Sequence, residues 1–147
     1  MVRWAFAALH LVALGIGLGA VWARGQMLGA NPPDLKRAFY ADNWWGAAAM
    51  LWLSTGLVRM LAGLEKATGY YVGNTFFRVK MALFILILLL ELAPMINLIR
   101  WRVRIAHGEQ PDTHLAPRFA MISRIEAGLV LLMVLAATAM ARGYGSA

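Results

Sequence analysis

Apolar residues are gathered into four blocks along the chain, and few charged side chains interrupt each block. The first block, residues 4–24, runs for about 20 residues without a charge, which is the length that a helix needs to cross a hydrocarbon core about 30 Å thick. The other blocks, 43–64, 76–100 and 118–141, are of similar length. This pattern predicts an all-α fold, a four-helix transmembrane bundle with up-down connections. We expect residues 1–147 to form one membrane domain.

Composition agrees with a membrane protein. Hydrophobic residues make up 61% of the chain and charged residues 14%, whereas soluble proteins have about 45–50% and about 25%. Because the chain has no cysteine, disulfides, thiolate metal sites and iron–sulfur clusters are excluded. The net charge of +7 comes from basic residues that flank the blocks. We therefore expect a lipid bilayer as the partner and no nucleic acid.

The segment between the first two blocks predicts a turn followed by a short helix. Residues 31–34 (NPPD) are a turn signal. Residues 35–41 are expected to form an interfacial helix, and the Asp42-Asn43 pair is expected to cap the second span.

The first block could be mistaken for a secretory signal. Trp22 and Arg24 lie where such a signal would have the small residues of its cleavage site. We therefore expect the first block to remain as a span.

The distribution of basic residues between the two faces of the bundle predicts the orientation. Eight are expected on the side of the first and third connections, and six on the other side. The first set is Arg24, Lys36, Arg37, Arg100, Arg102, Arg104, Arg118 and Arg124, and the second is Arg3, Arg59, Lys66, Arg78, Lys80 and Arg142. Because basic residues are enriched on the cytoplasmic side, both termini are expected outside the cytoplasm.

Polar residues inside the blocks recur on shared helical faces. Positions seven apart lie within about 20° of one another on a helix, and an ionisable residue in a bilayer normally faces the protein interior. The predicted bundle-facing seams are His10, Gly17 and Arg24; Trp45, Trp52, Arg59 and Lys66; Lys80 and Glu91; and Glu126, Met133 and Met140. Arg124 points away from the last of these seams.

Depth divides the seam residues into two groups. At a rise of about 1.5 Å per residue, His10, Arg59 and Lys80 lie roughly 6–10 Å below the outer surface, and Met133 and Met140 fall in the same half. The carboxyl groups of Glu91 and Glu126 lie nearer the middle of the membrane. The sequence thus predicts an outer cluster of cations with one imidazole above two carboxyl groups.

Each group in the outer cluster has two interpretations. His10 could ligate haem iron or copper, or it could make an interhelical hydrogen bond. Arg59, Arg78 and Lys80 could bind haem propionates or another anion, or they could extend to lipid headgroups. Nine methionines could indicate copper, but no Met-x-x-Met cluster lies in a loop, and methionine is an ordinary filler of apolar cores.

The two deeper carboxyls are also open to two interpretations. Glu91 lies three residues before Pro94, a residue that removes a helix hydrogen bond and favours a kink. Glu91 and Glu126 could relay protons, or each could make a structural hydrogen bond to another helix.

Several short strings resemble a bacterial membrane-protein family, domain of unknown function 2214 (DUF2214). They are residues 8–11 (ALHL), 19–24 (GAVWAR), 41–46 (ADNWWG), 63–66 (GLEK), 80–81 (KM) and 136–143 (AATAMARG). The resemblance covers nearly the whole chain and implies a multi-pass protein of the bacterial inner membrane, without implying an activity.

More remotely, the chain is similar to HemJ-type protoporphyrinogen oxidases and to the CopD-type membrane domain. His10 and Lys80 match the early histidine and the later lysine of the HemJ pattern. A further histidine expected on a later span is missing, and Glu91 occupies roughly that region. The departure argues against ligation of haem by two histidines and leaves oxidase activity open.

Three functional hypotheses follow from these patterns. The first is a redox protein that binds haem b or a porphyrin, with His10 as axial ligand, Arg59 and Lys80 on the propionates, and Met133 or Met140 as second ligand. The second is a non-catalytic subunit of a larger respiratory or photosynthetic membrane complex, or a homo-oligomer. The third is a small proton or ion pathway. Whether the protein is an enzyme stays open.

Overall fold

The computed structural model describes residues 1–62 and 68–145, and this part of the chain is helical without any strand. Its helices are α1 (Val2–Leu28), α2 (Leu35–Leu61), α3 (Thr68–Gly73), α4 (Thr75–Ala106) and α5 (Ala116–Ala141). The all-α prediction is confirmed, and each predicted span coincides with one long helix. The predicted number of four helices is wrong, because α3 forms within the second connection. Residues 63–64 of the predicted second span, and Lys66, lie outside the described residues.

Within those described ranges, α1, α4 and α5 are long and apolar enough to cross a membrane, judged by length and composition. Helix α2 has the same length as α1 but is less apolar. Its second half carries Ser54, Thr55 and Arg59 as well as tryptophan. Thr55 and Arg59 lie where α2 faces the other helices, as described below, whereas Ser54 is exposed.

Helix α2 begins earlier than the sequence predicts. Asp34 is its N-cap, and the Asp34 Oδ1 atom accepts a hydrogen bond of 3.1 Å from the backbone N–H of Arg37. One uninterrupted helix, Leu35–Leu61, then includes the predicted interfacial segment and the predicted span as far as Leu61. The predictions of a separate interfacial helix over residues 35–41 and of a second span capped by Asp42-Asn43 were therefore wrong, and the Asp42 side chain is available for a tertiary contact.

Helix α1 packs between α2 and α5, and α4 packs against α5. Two glycines of α1 allow close approach. A Cβ atom on Gly17 would lie 3.4 Å from Trp45 and Ala48 of α2, and one on Gly25 would lie 3.3 Å from the backbone oxygen of Ala120 on α5. Gly15 and Gly19, which form a small-xxx-small pattern on α1, have nothing within 4 Å. Small residues at helix contacts bring backbones together, and here Gly17 and Gly25 have that role.

Helices α2 and α4 meet through side chains. The Trp52 and Phe84 ring centroids are 5.5 Å apart toward one end, and Arg102 pairs with Asp42 toward the other. Between the ends lies a core cluster of buried apolar residues: Ala20, Val21, Trp45, Ile87, Ala127, Val130 and Met133. The aromatic and ionic contacts thus close the fourth side of the helix assembly.

The C-terminal turn folds back onto the start of α4. The Asn74 side chain donates a 3.0 Å hydrogen bond to the carbonyl of Tyr144, and the Thr75 N–H donates to the carbonyl of Gly145 at 3.1 Å. Gly145 has φ +79°, and a Cβ atom there would lie 2.6 Å from the Phe76 ring. Only glycine fits this contact without a shift of the ring.

Candidate functional site

A cavity of about 460 Å³ lies among the helices at the end where α1 begins and α5 ends. All five helices contribute to its wall, which is largely apolar and aromatic. Its lining includes His10, Leu14, Trp52, Gly56, Arg59, Met60, Tyr70, Tyr71, Phe77, Lys80, Met81, Phe84, Met133, Thr138 and Met140. All five side chains that the sequence predicts as cofactor contacts, His10, Arg59, Lys80, Met133 and Met140, line this one space.

The imidazole of His10 is held by α2. His10 is 7% exposed, and its Nδ1 atom lies 2.9 Å from the Thr55 hydroxyl oxygen. The Thr55 hydroxyl donates to the Leu51 carbonyl at 2.8 Å, so it accepts from His10, and Nδ1 carries the proton. The interhelical hydrogen bond proposed as the alternative interpretation is therefore present. It occupies Nδ1 and leaves the lone pair on Nε2, the arrangement that a neutral imidazole ligand needs.

Gly56 leaves space for the imidazole because it has no side chain. A Cβ atom at this position of α2 would lie 3.1 Å from His10 Cε1, closer than ordinary contacts. Thr55 and Gly56 are adjacent, so α2 supplies both the hydrogen-bond acceptor and the space beside the ring.

Trp52 forms the aromatic wall beside His10. Its ring stacks on the imidazole with a centroid separation of 5.2 Å and an interplanar angle of 20°, and the Lys80 Nζ atom lies 5.5 Å from a Trp52 ring centroid. Such a distance allows a cation–π interaction. The imidazole and the ammonium therefore lie against the same tryptophan, on α1 and α4 respectively.

Helix α3 and the far half of α5 complete the cavity. The Tyr70 hydroxyl donates to the Met140 carbonyl at 3.3 Å, which ties α3 to α5. Met133 is 2% exposed and belongs to the core cluster at the base of the cavity. Arg78 is not part of the lining. Its Nε atom donates to the Val72 carbonyl at 3.1 Å, and its side chain is exposed.

The two carboxyls predicted for proton transfer lie away from the cavity, around Arg24. The Arg24 side chain is fully buried. It donates to both oxygens of Glu91 at 2.7 Å, to Glu126 Oε2 at 2.8 Å, to Asp42 Oδ1 at 2.8 Å and to Ser123 Oγ at 2.9 Å. We call Arg24, Asp42, Glu91, Ser123 and Glu126 the Arg24 cluster; it joins all four long helices.

The sequence led to two predictions for Arg24, a place on the bundle-facing seam with His10 and Gly17 and a place among the basic residues of the cytoplasmic side. Helix α1 continues past Arg24 to Leu28, and the side chain is buried inside the bundle. The seam prediction is confirmed, and the inclusion of Arg24 among the basic residues at the surface was wrong. Arg124, by contrast, is exposed, as predicted.

Among the described residues, no group of three or more His, Cys, Asp or Glu side chains is arranged to hold a metal ion. The other histidines, His107 and His114, are exposed on the connection between α4 and α5. Hydrogen bonds from His114 to the Asp112 carboxylate, of 3.1 Å from the backbone N–H and 2.8 Å between side chains, lower the pKa of Asp112. Because neither His107 nor His114 lines the cavity, any metal bound there would have His10 as its imidazole ligand.

Long apolar helices, buried ion pairs between them and an apolar exterior define an α-helical integral membrane protein. The family comparison agrees, since the model of the predicted membrane proteins DUF2214 matches residues 2–145. The chain belongs to that family. No match was found among curated proteins or among solved structures.

Proposed function

We propose that this protein binds haem b, or a closely similar porphyrin, in the cavity and acts as a membrane redox protein. The observation that carries the proposal is that groups able to bind iron and groups able to bind propionates line the same cavity. A neutral imidazole with its Nε2 lone pair available, two cationic side chains and two thioethers line the same largely apolar space. The volume of about 460 Å³ lies within the about 300–1,000 Å³ of small-molecule and cofactor sites.

The residues present fit a haem. His10 Nε2 would be the axial ligand, Arg59 and Lys80 would bind the propionates, and Met133 or Met140 would offer a second axial ligand. A bound haem supplies one-electron chemistry, and a methionine opposite a histidine raises the reduction potential. Histidines are absent from the other long helices among the described residues, so a single chain would not supply two histidine ligands. The similarity to HemJ-type oxidases stays a prediction.

The proposal includes a topology of four transmembrane spans in a bacterial inner membrane, with both termini on the periplasmic side. The distribution of exposed basic residues supports it. Arg24 no longer counts, because it is buried. Six exposed basic residues remain toward the α1–α2 and α4–α5 connections (Lys36, Arg37, Arg100, Arg104, Arg118 and Arg124), against three described ones toward the other end (Arg3, Arg78 and Arg142).

Titration of haem into the purified protein in lipid nanodiscs tests the proposal. We expect a shifted Soret band and saturation at one haem per chain. His10→Ala removes the axial nitrogen and should weaken binding by at least about 100-fold or abolish the shift, by analogy with the loss of a ligand group. His114→Ala, which changes an exposed histidine, is the matched control and should bind haem like the wild type.

Equal haem affinity in wild type and His10→Ala would refute this assignment. A colourless wild type that takes up no haem, and instead co-purifies in fixed stoichiometry with a large membrane complex, would favour the accessory-subunit hypothesis.

A further inference from the structure

The hydrogen bonds of the Arg24 cluster leave a single oxygen without a donor. A guanidinium has five N–H groups, and those of Arg24 match the five acceptors already described. Asp42 Oδ2 accepts a separate 2.8 Å bond from Arg102. Of the six carboxylate oxygens in the cluster, five therefore accept from a guanidinium. Glu126 Oε1 is buried and has no hydrogen-bond partner among the described residues.

The charges of the cluster are also unbalanced, because it has fewer positive groups than carboxyls. Helix α1 contributes Arg24, α2 contributes Asp42, α4 contributes Glu91 and Arg102, and α5 contributes Glu126 and the neutral Ser123. Two positive groups face three carboxyls. If all three were ionised, the buried assembly would carry one uncompensated negative charge, which is costly in a membrane interior.

The burial of the carboxyls shows where a compensating positive charge is needed. The Glu126 side chain is fully buried, whereas those of Asp42 and Glu91 are 18% and 17% exposed. Glu91 Oε2 and Glu126 Oε2 accept from the same Arg24 nitrogen, so the two carboxyls are neighbours. The deepest carboxyl is therefore also the one with the unmatched oxygen.

We propose that the Arg24 cluster is a proton-binding site, and that Glu126 holds one proton on Oε1. With this proton the cluster is neutral, and all its remaining acceptors keep their guanidinium donors. A neutral carboxyl in an apolar interior costs far less than an unpaired carboxylate. The site lies about 21 Å from His10 along α1, so it does not depend on haem binding.

Infrared spectroscopy tests the proposal directly, because a protonated carboxylic acid has a carbonyl stretch distinct from that of a carboxylate. We expect the intensity of one protonated carboxyl per chain at neutral pH, in protein reconstituted in lipid nanodiscs. The band should shift in D₂O and when glutamate carrying ¹³C at its side-chain carboxyl is incorporated. Glu126→Gln should remove it, whereas Glu109→Gln, which changes an exposed loop carboxyl, should leave it unchanged.

A second variant keeps the proposal testable if Glu126→Gln does not fold. Glu126→Asp keeps a carboxyl at the site, so the band should remain but lose its sensitivity to ¹³C-glutamate. Three outcomes would overturn the proposal: no protonated carboxyl band in the wild type, a band that persists in Glu126→Gln, or a ¹³C-glutamate shift that persists in Glu126→Asp. A carboxylate that binds sodium instead would appear as the first of these, together with thermal stability that depends on sodium.

Discussion

Arg24→Met is the substitution with the largest predicted effect on stability. The methionine retains a flexible stem of similar reach but removes the five hydrogen bonds that join four helices. Three carboxyls then remain in the interior with only Arg102 on Asp42. Removal of one partner of a buried ion pair typically costs about 3–5 kcal/mol. Interhelical hydrogen bonds in membranes average about 0.6 kcal/mol each, so the loss of five of them alone would cost about 3 kcal/mol. Both ways of reckoning the loss therefore predict a destabilisation of about 3–5 kcal/mol.

Unfolding in detergent by increasing amounts of dodecyl sulfate, followed by tryptophan fluorescence, measures this free energy. Arg124→Met, which changes an exposed arginine, is the control and should change stability by less than about 0.5 kcal/mol. A triple variant, Arg24→Met with Glu91→Gln and Glu126→Gln, removes the charges together and should be more stable than Arg24→Met alone. The reasoning fails if Arg24→Met costs under about 1 kcal/mol, or if the triple variant is the least stable.

Three further predictions concern the cavity and the topology. Thr55→Val removes the acceptor of the imidazole and should weaken haem binding about 10–100-fold in the nanodisc titration, whereas Ser54→Val on the exposed side should not; equal affinities would contradict the role of Thr55. Gly56→Ala places a Cβ atom 3.1 Å from the imidazole and should weaken haem binding several-fold by displacing the ring, while Gly46→Ala, with nothing within 4 Å, should bind normally. Since the chain has no cysteine, a single Arg104→Cys can report orientation: an impermeant maleimide should label it only after the inner membrane is opened, and labelling of intact cells would reverse the proposed topology.

The faces of the helices were predictable from the sequence because helical geometry alone fixes them. Residues seven apart had to share a face, and a polar residue among apolar ones indicated which face was interior. This reasoning identified the seams with His10 and with Glu126, both of which are buried. It also assigned Met133 and Met140 to the same half of the bundle as His10. Local spacing and relative depth were sufficient for these assignments.

Partners between helices were not predictable in the same way. Arg24 and Glu126 are 102 positions apart, and no local pattern relates them. Arg24 was counted among the basic residues of the cytoplasmic side although it also lay on the predicted seam with His10 and Gly17, and its inward position depends on carboxyls from three other helices. Asp42 was misassigned for a related reason. A residue typical of a helix cap lies inside a continuous helix here, because it pairs with Arg24 and Arg102.

The optical spectrum of the protein isolated from membranes of cells that make haem tests the cavity assignment most directly. We expect a Soret band with sharpened visible bands on reduction in the wild type and in His114→Ala, and no haem spectrum in His10→Ala at equal folded yield. A haem spectrum that is unchanged by the loss of His10 would contradict the proposed site, and a wild type without any porphyrin absorption would contradict the proposed function.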